Sequence, residues 1–258
     1  MKYFRIGFLG TGNVAWHMAQ DMEKAGHFIP VVSSQNLENA TLLANQLYDT
    51  QVTEGYDFSN FDLDLLVLAV KDDTITAVVE QLVVGSETIV VHTSGTIPMD
   101  CLSPLGDDFG VFYPLQTFTK DRPIDFSEIP ICIESVNTRV QEVLFAVGKS
   151  LSSKVLFLTT SQRQTLHLAA VFANNFTNHM LFWAQNIMET EDLDFTLLKS
   201  LAKETIEKAF TLGPELAQTG PSKRNDRRTL ALHEGIIEGN PELLALYKTI
   251  SSSIRANS

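Results

Sequence analysis

Apolar and polar positions alternate in blocks through the first 158 residues of the chain. Short continuous apolar runs are typical of strands buried on both faces of a sheet. Segments of helical periodicity separate these runs, and this alternation indicates a mostly parallel sheet covered by helices. The predicted strands are Phe4–Leu9, Phe28–Ser33, Gln51–Thr53, Leu65–Val70, Thr88–His92, Gly110–Tyr113, Pro130–Glu134 and Val155–Leu158.

Four helices are predicted among these strands. Gly26 lies just past the end of the first one, where glycine commonly ends a helix. Asp72 is placed to cap the third one with its carboxylate. The four predicted helices are Asn13–Ala25, Leu37–Leu47, Thr74–Leu82 and Thr138–Leu151.

From Thr160 onward the strand pattern is absent. Residues 162–189 form one long helical stretch without proline or glycine. Three further helices are predicted at 193–212, 226–238 and 241–254. The sequence therefore predicts a doubly wound α/β domain over residues 1–158, followed by an all-α domain over residues 159–258.

Composition narrows the class of protein. Hydrophobic residues make up 44% of the chain and charged residues 19%, which excludes wholesale disorder. The net charge of −12 makes nucleic acid an unlikely partner, because binding to it depends on basic side chains. No apolar run is long enough for a membrane span, and the first residues do not resemble a secretory signal. Cys101 and Cys132 have no metal-like spacing, so we expect no metal site and a cytoplasmic location.

The strongest chemical signal is Gly10-x-Gly12-x-x-Ala15, which follows the first predicted strand and opens the first predicted helix. In this context the pattern is the dinucleotide fingerprint of a Rossmann-like fold, in which bare glycines let the backbone approach a pyrophosphate. The alternative is a glycine-rich turn with only a structural role. The residues expected to bind the cofactor here are Gly10, Thr11, Gly12, Asn13 and Val14.

The end of the second strand bears on which cofactor binds. A carboxylate about 20 residues past the glycines would hold the ribose 2′-hydroxyl of NAD. Here the segment is Ser33-Ser34-Gln35, and no acid occurs before Glu38. We therefore expect NADP to bind through Ser33, Ser34 and Gln35, while the lack of an arginine leaves NAD possible.

Two later loops lie at the ends of predicted strands, where open α/β sheets bind ligands. The loop after the fourth strand, which contains Val70, Lys71 and Asp72, would line the cofactor. The loop after the fifth strand, which contains Thr93, Ser94 and Gly95, would lie near the nicotinamide, and Ser94 would also contact the substrate. Turn chemistry alone is the alternative explanation of both. Residues 113–118 are expected to wall the same cleft. The loop residues predicted to act are Val70, Lys71, Asp72, Thr93, Ser94 and Gly95.

The helical part carries polar residues in an otherwise apolar setting. His167, Asn174 and Asn178 have the spacing of one α-helical face, and Asn175 borders it. They either line a site or are hydrogen-bonded within the core. Further along, Arg224 belongs to a basic cluster at a predicted helix start, which would suit a carboxylate or phosphate. A capped helix start with surface charges explains the same cluster.

Together these motifs resemble a family of NADP oxidoreductases that pair a Rossmann-like domain with a helical C-terminal domain. The motifs are Ile6–Ala15, Val91–Gly95, Tyr113–Phe118, Asn174-Asn175 and the segment from Gly220 to His233. The layout is similar to that of pyrroline-5-carboxylate reductases, prephenate dehydrogenases, ketopantoate reductases and 3-hydroxyacid dehydrogenases.

The resemblance implies that the helical domain forms a homodimer and closes over the nicotinamide. It also implies roles for Ser94, His167, Asn174 and Asn175 in catalysis. Three positions depart from the pattern of these families. The long helix lacks the lysine found in hydroxyacid dehydrogenases and ketopantoate reductases. Asn225 occupies a position where glycine is expected, and Gln35 one where an arginine would bind the 2′-phosphate.

The sequence thus predicts hydride transfer between NADP(H) and a small, anionic keto, hydroxy or imino substrate. His167 would donate the proton because imidazole titrates near neutrality. Asn174 or Asn175 would position the substrate, and Ser94, Gly95, Asn178 and Arg224 would bind it. The alternatives are a non-catalytic NAD(P)-binding sensor or scaffold, and a nucleic-acid binder, which would need a more extensive basic surface.

Overall fold

The computed structural model describes residues 2–257. Its centre is a sheet of eight strands in the order β3-β2-β1-β4-β5-β6-β7-β8. Each of the eight predicted strands is present. Their bounds are β1 Ile6–Leu9, β2 Val31–Ser33, β3 Gln51–Thr53, β4 Leu65–Leu68, β5 Ile89–His92, β6 Phe109–Pro114, β7 Ile131–Ser135 and β8 Val155–Phe157.

The first six strands are parallel, and their order is that of a doubly wound Rossmann-like sheet. β7 is antiparallel to β6, and β8 is parallel to β7. The predicted fold class is confirmed. The order reverses between β1 and β4, and in such sheets ligands bind beyond the carboxyl ends of the strands at this point.

Helices cover both faces of the sheet, and further helices follow its last strand. Those that follow the sheet strands are α1 Asn13–Lys24, α2 Leu37–Ala44, α3 Ile75–Val79 and α4 Thr138–Leu151. Those beyond the sheet are α5 Thr160–Ala170, α6 Thr177–Glu189, α7 Lys199–Leu212, α8 Pro214–Ala217, α9 Arg227–Ile236 and α10 Pro241–Ala256. Short 3₁₀ turns occur at Asp72–Thr74, Met99–Leu105, Phe126–Glu128 and Phe195–Leu198.

One helical prediction is wrong and another gains a detail. Asp72 does not cap α3, because its carboxylate instead accepts hydrogen bonds from the hydroxyls of Ser94 and Thr96. Residues 162–189 are helical throughout, as predicted, but a π-helical segment, Val171–Phe176, separates α5 from α6. The prediction that His167, Asn174 and Asn178 share one helical face assumed uninterrupted α-helical spacing. The wider turn of the π-helix interrupts that spacing.

Alternate side chains of the sheet enter two separate cores. Phe8 and Val67 belong to the core under α1, α2 and α4. Leu66 and Leu68 belong to the opposite core, which packs beneath α3. This division follows from the period of two along a strand, and burial on both faces explains the continuous apolar runs of the sequence.

The described residues form two compact units, one up to Asn174 and one from Asn175 onward. The sequence predicted the boundary at 158/159, where the element type does change. α5 belongs to the first unit by contact, because Arg163 pairs with Glu134 on β7. Across residues 2–257, we find no helix with the length and apolarity needed to cross a membrane.

Candidate cofactor site and active site

The turn between β1 and α1 has the shape that the glycine pattern predicts. Gly10 has a φ of +100°, and a Cβ there would lie 2.3 Å from the carbonyl oxygen of Ala69. Any side chain at this position would therefore collide with backbone. Gly12 differs, since a Cβ there would meet no protein atom within 4 Å. Its missing side chain leaves space open beside the backbone.

A cavity of about 650 Å³ lies at this turn, beyond the carboxyl ends of β1, β2 and β4. This is the position at which the strand order reverses. Eight residues that the sequence assigned to the cofactor line the cavity. They are Gly10, Thr11, Gly12, Asn13, Ser34, Gln35, Val70 and Lys71.

Four other residues assigned to the cofactor do not line the cavity. Ser33 is fully buried, and its hydroxyl donates to the Gly55 carbonyl. The Thr93 hydroxyl donates to the carbonyl of Leu68, and Val14 packs against the core. Asp72 points to the neighbouring loop through its bonds to Ser94 and Thr96.

The structure adds cavity residues that no sequence motif indicated. On the side of β2, Gln35 donates to the Tyr56 hydroxyl at 2.9 Å, and Asn39 lies in the first turn of α2. Lys120, from the loop after β6, reaches the same side. Tyr56, Asn39 and Lys120 come from different elements, so no local spacing relates them to the glycine turn.

The loop after β5 is held by its own hydrogen bonds. The Ser94 hydroxyl donates to Asp72 at 2.7 Å and accepts from the backbone amides of Thr96 and Ile97, both at 3.0 Å. Ser94 is 5% exposed. Its hydroxyl thus fixes the loop and joins it to the Lys71–Asp72 segment at the cavity, whereas the sequence assigned it to substrate.

His167 of α5 packs directly on this loop. A Cβ on Gly95 would lie 2.3 Å from His167 Nδ1, so only glycine fits beneath the imidazole. The same nitrogen is 3.0 Å from the hydroxyl of Tyr113 on β6. Burial raises the pKa of Tyr113 to about 12, so its hydroxyl is protonated at neutral pH. The phenol can therefore donate to Nδ1 of a neutral imidazole, and its oxygen can accept from Nδ1 of an imidazolium.

Arg163 lies one helical turn before His167 and is fully buried. Its guanidinium pairs with Glu134 at 3.0 Å and donates to the carbonyls of Ser94 and Ile97, both at 2.8 Å. All three guanidinium nitrogens thus donate to protein atoms. Arg163 anchors α5 to the Ser94 loop and has no role in binding a substrate anion.

His92, the last residue of β5, is also buried in this region. Its Nδ1 accepts from the backbone amide of Ser94 at 3.2 Å. Burial, and secondarily the positive charge of Arg163, lower the pKa of His92 to about 4. His92 is therefore neutral at pH 7, and its lone pair supports the Ser94 turn.

The remaining predicted residues lie near or beyond the end of the first unit. Asn174 is exposed at its last position, and Asn175 and Asn178 are exposed in the second unit. Arg224 is exposed in the turn before α9, whose first residue follows the capping carboxylate of Asp226. Asn225 has a φ of +52°, which explains why glycine is expected there and why asparagine is tolerated.

No group of three or more metal-ligating side chains occurs within residues 2–257. The described chemistry of the first unit therefore consists of a cavity at a glycine turn and an adjacent Tyr113–His167 pair. Lys71 and Asp72 connect the two, since Lys71 lines the cavity and Asp72 binds the Ser94 loop.

Comparison with known proteins shows to which family the chain belongs. Residues 5–95 match the coenzyme F420-dependent NADP oxidoreductases, and residues 129–254 match a domain of unknown function. The chain is 34% identical to a candidate NADP oxidoreductase from Bacteroides fragilis, with 98% of each chain covered and a TM-score of 0.87. The chain belongs to this NADP oxidoreductase family. It is an NAD(P)-dependent oxidoreductase, as the sequence predicted.

More distant solved structures share the fold. Pyrroline-5-carboxylate reductase from Streptococcus pyogenes is 12% identical, with 98% and 99% of the two chains covered and a TM-score of 0.64. A reductive aminase from Aspergillus terreus, in complex with NADPH and ethyl levulinate, is 15% identical. In that pair 99% and 95% of the chains are covered, and the TM-score is 0.67. None of the curated proteins matches the chain.

Proposed function

We propose that this oxidoreductase uses NADP(H) and acts on a small, anionic keto, hydroxy or imino substrate. One observation carries the cofactor part of the proposal. The cavity at the Gly10–Gly12 turn contains two lysines, Lys71 and Lys120, and no Asp or Glu is among the described residues that line it. In a chain with a net charge of −12, such a lining favours a polyanion.

The start of α1 suits the pyrophosphate of a dinucleotide. Gly12 is the N-cap and has no side chain to occupy the free N–H groups of the first turn, which contains no acidic residue. These N–H groups and the positive end of the helix dipole favour a phosphate. We assign the pyrophosphate to the backbone of Gly10, Thr11 and Gly12.

When bound, the nicotinamide supplies or accepts the hydride. The chain must supply the proton and hold the substrate, and we assign proton donation to His167. The imidazolium form of His167 would give up its Nε2 proton; the Tyr113 hydroxyl accepts from Nδ1 before the transfer and Gly95 fixes the ring from below. Asn174 and Asn175 are proposed to position the substrate, with Ser94 acting through the shape of its loop.

The proposed substrate class rests on two arguments. Arg224 is exposed and free to bind a carboxylate or phosphate, whereas Arg163 is fully used by protein atoms. The names of two structural relatives refer to a pyrroline carboxylate and to reductive amination, which favours a keto or imino group. We include Asn178 among the substrate residues for its place beyond Asn174 and Asn175.

The helical unit supports a homodimer. Of its described residues only Ser222, Leu230, Leu243 and Ser251 are buried. Large apolar side chains on α7, α8 and α9 are exposed, including Phe210 at 88% and Leu216 at 74%. So little buried surface leaves a helical unit marginally stable, and a second copy would cover these side chains. The compartment we propose is the cytoplasm, where the thiols of Cys101 and Cys132 stay free.

Titration of the purified protein with NADPH and NADH tests the cofactor proposal. We expect wild-type protein to bind NADPH more tightly than NADH. Gly12→Val should abolish NADPH binding in a folded protein, because its side chain meets no protein atom and enters the cavity. Gly239→Val is the matched control, since this glycine also faces open space but lies in the second unit.

Failure of the wild-type protein to bind either nucleotide would refute the proposal. If Gly12→Val bound NADPH with wild-type affinity, the cofactor could not bind in this cavity as proposed. Turnover with a panel of small keto acids and cyclic imines, with NADPH consumption followed at 340 nm, then tests the substrate class.

A further inference from the structure

Lys120 occupies a defined position between α1 and α2, although it comes from the distant loop after β6. Its Nζ donates to the side-chain oxygen of Asn39 on α2 at 3.3 Å. The same ammonium lies 5.2 Å from the centre of the Trp16 ring on α1, a cation–π distance. The side chain is therefore directed to the cavity edge where these two helices begin.

Two further contacts hold the loop that carries Lys120 against α1. Asn13 donates from its amide to the Phe118 carbonyl at 2.9 Å. His17 Nε2 lies 2.9 Å from the carbonyl oxygen of Thr119 and donates to it. The two carbonyls immediately before Lys120 are thus tied to the helix that the glycine turn opens.

This position corresponds to the adenosine end of the cavity. Ser34 and Gln35 directly follow β2, and in this fold the residues at the end of β2 contact the ribose 2′ position. Asn39, the partner of Lys120, lies on the helix that follows them. Lys71 belongs to the other side, since it follows β4.

The end of β2 offers no positive charge of its own. Gln35 is neutral, and its amide donates to the Tyr56 hydroxyl. None of the ion pairs within residues 2–257 includes Lys120. Its charge is therefore available to an anion at the ribose, where NADP has a phosphate and NAD has a hydroxyl.

We propose that Lys120 binds the adenosine 2′-phosphate of NADP and sets the preference for NADP over NAD. The inference rests on the proposed use of this cavity by a nicotinamide dinucleotide. Lys120 thereby supplies, from the loop after β6, the cation that the β2 end lacks. Trp16 and Asn39 hold the ammonium in place before the phosphate arrives, which reduces the entropy lost on binding.

Calorimetric titration with 2′,5′-ADP and with 5′-AMP isolates the 2′-phosphate without any turnover. The two probes differ only in that phosphate. We expect Lys120→Gln to weaken binding of 2′,5′-ADP about 10- to 100-fold, the range for loss of one charge-assisted hydrogen bond, and to leave 5′-AMP unchanged. Lys120→Arg should retain the discrimination between the two probes. Lys149→Gln, which removes a surface lysine bonded to the Ser153 carbonyl, should leave both affinities unchanged.

Titrations of NADPH and NADH complete the test. Lys120→Gln should reduce the ratio of their affinities by the same factor that it reduces 2′,5′-ADP binding. Equal weakening of both nucleotides would place Lys120 at the pyrophosphate and overturn the inference. An unchanged NADPH affinity would also overturn it, and wild-type binding of NADPH would still uphold the proposed function.

Discussion

At the scale of single residues, the site depends on which side chains are absent as much as on those present. Gly10 avoids a collision with the Ala69 backbone, and Gly95 avoids one with the His167 ring. Gly12 avoids no collision and instead leaves the cavity open. Three glycines thus act for three reasons: backbone packing, placement of an imidazole, and access for a ligand.

The proposed proton donor gives a prediction at this scale. His167→Ala should lower kcat by about 10²- to 10⁴-fold, the usual contribution of a general acid. NADPH affinity should stay at the wild-type value, because His167 does not line the cofactor cavity. Steady-state kinetics, together with NADPH titration of the same preparation, measures both.

Tyr113→Phe provides the companion measurement. It keeps the aromatic packing against His167 and removes the hydroxyl that bonds to Nδ1. We expect kcat to fall, by less than in His167→Ala. An unchanged kcat in His167→Ala would exclude this histidine from the mechanism.

At the scale of elements, α5 connects the sheet to the proposed proton donor, His167. Arg163 joins α5 to β7 and to the loop after β5, and His167 follows one turn later on the same helix. A buried ion pair contributes little net stability but fixes position, since removing one partner leaves a buried charge unpaired. The position of His167 therefore depends on Arg163.

Arg163→Met tests this anchor. Loss of the guanidinium leaves Glu134, which is 12% exposed, without its partner, so we expect the free energy of unfolding to fall by about 3–5 kcal/mol. Arg139→Met is the control, because Arg139 forms its ion pairs with Glu87 and Asp108 while 46% exposed. Its loss should cost at most about 1 kcal/mol. Urea denaturation measures the free energy of unfolding of both variants. Equal losses would contradict an anchoring role for Arg163.

At the scale of the whole molecule, the two units differ in how they bury their apolar residues. The sheet unit has two extensive cores, one on each face. The helical unit buries few of its side chains, and its apolar residues are largely exposed. Exposed apolar surface of this extent is typical of an interface between subunits.

We therefore expect light scattering to give a mass of about twice the 28.7 kDa of one chain. Phe210→Glu should shift the protein toward the monomer, because it places a charge where Phe210 is 88% exposed. Phe145→Glu, at an exposed phenylalanine of the sheet unit, should leave the mass unchanged. A monomeric wild-type protein at micromolar concentration would refute the homodimer.

The sequence alone determined the features that depend on neighbours along the chain. Apolar runs marked all eight strands, and the spacing of Gly10 and Gly12 marked the turn that opens on the cavity. Both signals are local, because strand burial and turn conformation follow from residues a few positions apart. Family membership followed from the same motifs.

Tertiary structure alone decided which distant side chains meet. It directed the Ser94 hydroxyl to Asp72, paired Arg163 with Glu134 and brought Lys120 to Asn39 on α2. The π-helix that interrupts the spacing assumed for His167 and Asn174 was also not predicted from the sequence. These contacts join residues far apart in the chain, and the energies that select them arise only when the sheet order has brought the elements together.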